Sequence, residues 1–262
     1  MSPTAYVICA TPRSGSTLLC DLLAASGVGR PNSYFRREDI AYWAGQWDVP
    51  SPTSDADPAF DRVYVAAMTR AGRGGSDVFG LRLMWDSVGK AQRRLGSALG
   101  GHDDLASRIG QAFGPPLFIH LSRVDKAAQA VSLIRARQSG LWHRHADGSE
   151  RERIAPPAAP VFDHERLARA RDRPRAQDAS WAAFFDRLGI APLRLTYGSL
   201  VADPRSVLAG ILLALGRDPA MATQATPRTA RMADATNEDW IRRLGFDPPR
   251  LHRASPAKAG VQ

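Results

Sequence analysis

The sequence predicts an α/β protein with a central parallel sheet flanked by helices on both faces. Three observations carry this expectation. Residues 5–10 (AYVICA) form a short apolar run without alternation, the pattern of a strand buried on both sides. A glycine-containing loop and an amphipathic stretch follow at once, giving the order strand, loop, helix. Apolar runs of the same kind return at 78–85, 117–122 and 193–197, with helical patterns between them.

Taken in order, Thr11-Pro12 ends the first run. Residues 17–26 then place Leu18, Leu19, Leu22 and Leu23 on one helical face, which Gly27 closes. The runs VFGLRLMW (78–85), LFIHLS (117–122) and LRLTY (193–197) read as further core strands. A helix is expected from Lys126 to about Gln138. Trp181, Phe184, Phe185 and Leu188 recur at i, i+3, i+4 and i+7, with Gly189 as a stop. Asp203-Pro204 caps and starts a helix bearing Val207, Leu208, Ile211, Leu212 and Leu215, ended by Gly216. Residues 146–162 (ADGSERERIAPPAAPVF) are charged, then proline-rich, without helical or strand period, and read as a long mobile loop. Residues 1–246 are expected to form one domain, and 247–262 a loose C-terminal tail.

The composition suits this plan. With 262 residues, 44% hydrophobic and 23% charged, the chain is long enough for one well-buried core and is not collagen-like, disulfide-built or disordered. Lys plus Arg is 35 and Asp plus Glu is 26, a net charge of +9. That surplus favours an anionic partner: nucleic acid, a membrane surface or a small polyanion. Cys9 and Cys20 are too few for a disulfide framework or a zinc site and sit in apolar surroundings, so core packing is expected. No run approaches the length of a membrane-spanning helix, and no basic segment precedes the first apolar run. A cytoplasmic protein is the expectation.

The chemistry is concentrated in ATPRSGST (10–17), between the first strand and the first helix. Backbone N–H groups converge in such a loop, and the helix N-terminus adds partial positive charge, so an anion can be cradled there. Gly15 permits close approach, and the Ser16 and Thr17 hydroxyls can donate. Thr11, Arg13, Ser14, Gly15, Ser16 and Thr17 are the candidate ligands. The nucleoside-triphosphatase loop, G-x-x-x-x-G-K-[ST], differs in three ways. Ala10 takes the first glycine's place, Ser16 takes the lysine's, and the cation moves to Arg13. The strand LFIHLS also ends in Arg123, where such enzymes carry a metal-binding aspartate. The loop suits a group with less negative charge than Mg·ATP, and no metal is expected. A second motif, LSRVDKAAQAVS (121–132), sets Arg123 after a strand and Ser132 on the next helix, a pair able to clamp a second phosphate.

With both motifs in place, the chain resembles the sulfotransferases that use 3′-phosphoadenosine 5′-phosphosulfate (PAPS). It is most similar to the bacterial carbohydrate branch that includes trehalose 2-sulfotransferase and lipopolysaccharide-type sulfotransferases. The resemblance rests on residues 4–19, GLRLMW (80–85), residues 120–136, the Trp181–Phe185 helix, LTYGSL with Asp203-Pro204, and Arg231–Asp234 followed by Glu238-Asp239-Trp240. It implies a P-loop-like sulfotransferase fold, PAPS as sulfuryl donor, and metal-independent in-line transfer to a hydroxyl of a carbohydrate or glycolipid acceptor. It also implies a homodimer. The 5′-phosphosulfate loop of that family maps onto Arg13–Thr17, and its 3′-phosphate clamp onto Arg123 and Ser132. Arg13 is the candidate cation for the leaving oxygen. Arg82, where the branch usually has lysine, is placed to act alike.

The chain departs from the branch at the base. A glutamate is expected in the segment corresponding to 29–35, and Gly-Arg-Pro-Asn-Ser-Tyr-Phe holds no carboxylate. Glu38, with Asp39 beside it, lies just beyond and is the candidate base if the loop turns, although a solvated helix start is the plainer reading; His120, at a strand end where a packed core histidine is commoner, and His143 and His145 are further candidates. Trp43, Trp47, Trp85 and Trp142 are candidates for stacking on an acceptor sugar. The missing glutamate keeps open a weak or inactive PAPS-binding homologue. A nucleic-acid-binding protein is a more distant alternative, since the arginines are dispersed and no helix-turn-helix, RNP or zinc-finger pattern occurs.

Overall fold

The computed structural model describes residues 2–54, 57–230 and 232–245. The tail expected at 247–262 lies outside the described residues, as does Arg231. In chain order the elements are β1 (Ala5–Ala10), α1 (Ser16–Ala25), α2 (Ile40–Gln46), α3 (Pro58–Arg73), β2 (Phe79–Met84), α4 (Val88–Leu99), α5 (Leu105–Phe113) and β3 (Pro116–Ser122). They continue with α6 (Lys126–Ser139), β4 (Leu141–Arg144), β5 (Glu150–Arg153), α7 (His164–Arg187), β6 (Leu193–Thr196), α8 (Tyr197–Ala202), α9 (Pro204–Ala214) and α10 (Ala235–Arg243).

β2, β1, β3 and β6 form one parallel sheet in that spatial order. β1 is central, pairing Ala5–Ala10 with Phe79–Met84 on one side and with residues 116–121 on the other. All six of its residues are fully buried, which is why its sequence lacks alternation. Side chains along it still alternate between faces. Ala5, Val7 and Cys9 pack with α3, α4, α5 and the end of α7, where Trp181, Phe184 and Phe185 are buried. Tyr6, Ile8 and Ala10 pack with α1, α8 and α9 through Leu19, Leu22, Leu23, Leu208, Ile211 and Leu212. Cys9 and Cys20 are buried, unpaired thiols in opposite layers. A third cluster joins α6 to the start of α7 and to α10 through Ala130, Val131, Leu167, Trp240 and Ile241.

The structure adds elements that the pattern of residues did not announce. Four helices, α2 to α5, occupy much of the chain between residues 40 and 113. α7 begins at His164, capped by the Asp163 side chain, and carries Pro174 in its interior. The segment read as a loop without strand period contains β5, which pairs antiparallel with β4 in an irregular register. Residues 228–230 extend this hairpin, since Ala146 N–H donates to Arg228 O and Ala230 N–H donates to Arg144 O, at 3.0 and 3.1 Å.

Candidate functional site

Where β1 ends, the chain turns sharply into α1. Ser14 N–H donates to Thr11 O at 3.3 Å. Arg13 (φ 64°) and Gly15 (φ 91°) both lie in the left-handed region. For Gly15 the glycine is required twice over, because a Cβ there would meet the Tyr197 ring at 2.6 Å. Having no side chain, Gly15 leaves the first N–H groups of α1 without a side-chain cap, and the first turn holds no acidic residue. This end of the helix is therefore a positive, open anion cradle. From below, the fully buried Gln129 donates to Thr11 Oγ1 (2.9 Å) and Pro12 O (2.7 Å), locking the loop to α6. Thr11 and Ser14 are themselves fully buried and do not line the cleft above.

That cleft, about 810 Å³, opens over the carboxyl ends of the parallel strands, where ligands of open α/β sheets collect. Of the six arginines that line it among the described residues, three are each associated with one strand: Arg13 after β1, Arg82 on β2 and Arg123 after β3. Arg13 Nε donates to Ser132 Oγ (2.9 Å), Nη1 to Trp142 O (2.7 Å), and Nη2 reaches Met232 Sδ (3.8 Å). Burial, and then the charge of Arg123, lower the pKa of Arg13 to about 10. Arg123 lies over the Tyr197 ring, 4.5 Å from its centroid, and Nη1 approaches Arg13 O at 3.5 Å. Arg82 donates to Ser33 Oγ (2.8 Å) and Thr17 Oγ1 (3.0 Å), with Asn32 Oδ1 at 3.5 Å. An anion placed among these cations relieves their mutual repulsion.

Of the residues proposed from sequence, Arg13, Gly15, Ser16, Thr17, Arg82, Arg123, Ser132 and Glu38 all line this one cleft. Arg13 and Ser132, assigned to separate phosphates, are in direct contact. Glu38 is largely exposed and bonded to Arg36 at 3.3 Å. His120 is away from the cleft, buried between Arg194 (3.4 Å) and Asp178 (3.9 Å). Trp43 and Trp47 stack on each other and pack on the core, and Trp85 packs edge-on to Trp181. Trp142 lines the cleft.

The hairpin contributes two groups that sit together. His143 Nε2 is 3.2 Å from Thr17 Oγ1 and 3.6 Å from the Glu152 carboxylate. Burial, reinforced by Arg13, Arg82 and Arg151 against the opposing pull of Asp21, lowers the His143 pKa to about 3. Glu152 falls inside the segment read as a loop, and nothing in ERER distinguishes it from its charged neighbours. A strap holds the hairpin to α1: Arg151 makes two hydrogen bonds to Asp21, at 2.5 and 2.9 Å, and Thr229 donates to the same carboxylate. Burial raises the Asp21 pKa, but the bonds from Arg151 and Thr229 outweigh it and hold the carboxyl below its usual range.

Comparisons with known proteins bear on the chain as a whole. A family described as Stf0 sulphotransferase matches residues 5–247. The trehalose 2-sulfotransferase of Mycobacterium tuberculosis is 30% identical, covering 94% of this chain and 96% of that protein. The trehalose 2-sulfotransferase of Mycolicibacterium smegmatis is 30% identical over 95% of this chain and 97% of its own length. Among solved structures, the sulfotransferase domain from the Synechococcus PCC 7002 olefin synthase aligns with a TM-score of 0.42 at 18% identity, covering 95% of this chain and 97% of that one.

Proposed function

Because the chain belongs to the Stf0 sulphotransferase family, we propose that this sulfotransferase moves a sulfuryl group from PAPS to a carbohydrate hydroxyl. The donor supplies the activated sulfuryl group. Its two anionic positions, at the 5′ and 3′ sides of one ribose, suit the distribution of cations in the cleft. The observation that carries the reading is the convergence of Arg13, Arg82 and Arg123 on an uncapped helix N-terminus. A loop that served only as a turn would have no reason to hold three cations together around an open cavity.

Each residue then has a physical task. The N–H groups at the start of α1, with the Ser16 and Thr17 hydroxyls, orient the phosphosulfate. Arg13 faces the bridging oxygen and stabilises the negative charge that develops as the sulfur–oxygen bond breaks. Arg82 keeps its charge beside Thr17 and aligns the transferring group, but as arginine it cannot give up a proton. Arg123 and Ser132 hold the 3′-phosphate. Ser132 Oγ already accepts from Arg13, so its own proton is free for a phosphate oxygen. The relatives' names give trehalose as their acceptor, and a disaccharide is the first acceptor to test here. Trp142 offers a ring face, and Glu38, Asp86 and Glu152 offer carboxylates, to sugar hydroxyls in the same cleft.

Incubation with 35S-labelled PAPS and a panel of sugars headed by trehalose tests the proposal. Labelled sulfated sugar is the expected product. A protein that binds the desulfated nucleotide yet labels no carbohydrate or glycolipid would favour the donor-binding, inactive homologue suggested by the missing carboxylate at 29–35.

A further inference from the structure

We propose that His143 is the general base of this transfer, taking the acceptor hydroxyl's proton at Nε2, and that Glu152 beside it stabilises the resulting imidazolium. The inference rests on the sulfotransferase reading above and assigns its unfilled role.

The other acid–base groups of the cleft are committed elsewhere. Glu38 is bonded to Arg36, and Asp86 accepts from Arg173 (2.9 Å) and Gln177 (2.8 Å). His143 differs. Thr17 Oγ1 accepts a hydrogen bond from Arg82, which leaves the threonine's own proton free to point at His143 Nε2. That arrangement needs a lone pair on Nε2 and the hydrogen on Nδ1, the tautomer of a ready base. In the free protein Nε2 thus accepts from the last hydroxyl of the anion loop; once Thr17 turns that proton to a bound phosphosulfate, the Nε2 lone pair is released to an acceptor seated over the sulfuryl group. In the step, the acceptor oxygen bonds to sulfur as the bond from sulfur to the bridging oxygen breaks. The broken bond's electron pair stays on the departing phosphate, and the acceptor's proton passes to Nε2.

The groups around the imidazole also make the base conditional. Facing it are Thr17 and Asp21 from α1, Arg13 from the loop, Arg82 from β2, and Arg151 and Glu152 from β5. Without an anion, the three arginines and burial disfavour the imidazolium. A phosphosulfate between Arg13 and Arg82 offsets two of those charges, so proton affinity rises when the donor is bound. Glu152 then faces a cation at Nε2 instead of a lone pair. The base is armed by its co-substrate.

Histidine NMR on the 15N-labelled full chain reads this directly, with the His143 signal assigned by its loss in His143→Gln. The titration is run with and without saturating adenosine 3′,5′-bisphosphate, the desulfated product. His143 is expected to titrate near pH 3 in the free protein and at least 2 pH units higher in the complex. His143→Gln should lower kcat by about 10²-fold or more while nucleotide affinity stays within about threefold. Glu152→Gln should lower kcat by about tenfold and shift the His143 titration downward in the complex. An unchanged His143 titration on nucleotide binding, or full kcat in His143→Gln, would overturn the proposal. So would a loss of kcat confined to Glu38→Gln. Failure of the unmodified chain to bind the bisphosphate would instead sink the sulfotransferase site itself, and the base with it.

Discussion

Arg13 is held in a left-handed backbone conformation that a non-glycine residue adopts at a cost of about 1–3 kcal/mol. Three contacts on its guanidinium and the like charge of Arg123 show what the strain serves. The conformation carries the side chain across the loop toward α6 and β4, where it meets Ser132 and the Trp142 carbonyl. Arg13→Ala should lower kcat/KM for transfer by about 10²–10³-fold, the usual consequence of removing a charge-stabilising donor; an unchanged value in a steady-state assay would contradict its role. Gly15 is constrained differently, by a positive φ and by the Tyr197 ring at the Cβ position. Gly15→Ala should destabilise the fold by about 1–3 kcal/mol, read by urea denaturation, and should weaken nucleotide binding as Tyr197 is pushed aside. A variant with wild-type stability would mean that the loop relaxes freely.

At the scale of elements, the β4–β5 hairpin brings chemistry to a sheet it does not join. Its position depends on the Arg151–Asp21–Thr229 strap. Asp21→Asn should reduce kcat by about tenfold and leave nucleotide affinity nearly unchanged, since the donor's ligands lie on the loop, the first turn of α1, β2, α6 and the residue after β3, and none lies on the hairpin. Equal losses in both measurements would show that the strap supports the whole cleft. The contrast between hairpin and sheet also explains what was legible in the sequence. β1, β2, β3, β6, α1, α6 and α9 bury apolar sides, so their patterns match their environments. The glycine, arginine and hydroxyl residues of the loop follow a phosphate-binding logic that depends only on local order. Arg82 and Arg123 sit at strand positions that the same logic identifies. Glu152 and the contacts to Trp142 O and Met232 come from segments folded over the site by tertiary contacts, and the largely exposed ERER strand has no core face to reveal it. α7 was visible only where Trp181, Phe184 and Phe185 enter the core, because its first half is mostly arginine and alanine. His120 is the packed core histidine that a strand end more commonly holds: it lies against Phe185 on α7 and does not line the cleft.

For the molecule as a whole, the cations gathered at one end of the sheet tie stability to ligand and to pH. Saturating adenosine 3′,5′-bisphosphate at about 100 times its Kd should add about 2.7 kcal/mol, a rise in Tm of about 5–10 °C for a chain of this size. His143 is held neutral in the fold, with a pKa near 3 against about 6.5 when unfolded. It therefore leaves stability unaffected above about pH 6.5 and lowers it as pH falls from there toward 3, because the unfolded chain takes up the proton first. That part of the acid sensitivity should vanish in His143→Gln and diminish with nucleotide bound, as followed by melting curves between pH 7 and 4. Among the described residues, no helix is long and apolar enough to cross a membrane. The most direct measurement is calorimetric titration of the full chain with adenosine 3′,5′-bisphosphate, beside Mg·ATP and a random DNA duplex. Tight binding of the bisphosphate, lost in both Arg13→Ala and Arg123→Ala and not matched by Mg·ATP or DNA, is the predicted result. A folded protein that ignores the bisphosphate, or that binds Mg·ATP or DNA more tightly, would contradict a cleft built for a sulfuryl donor.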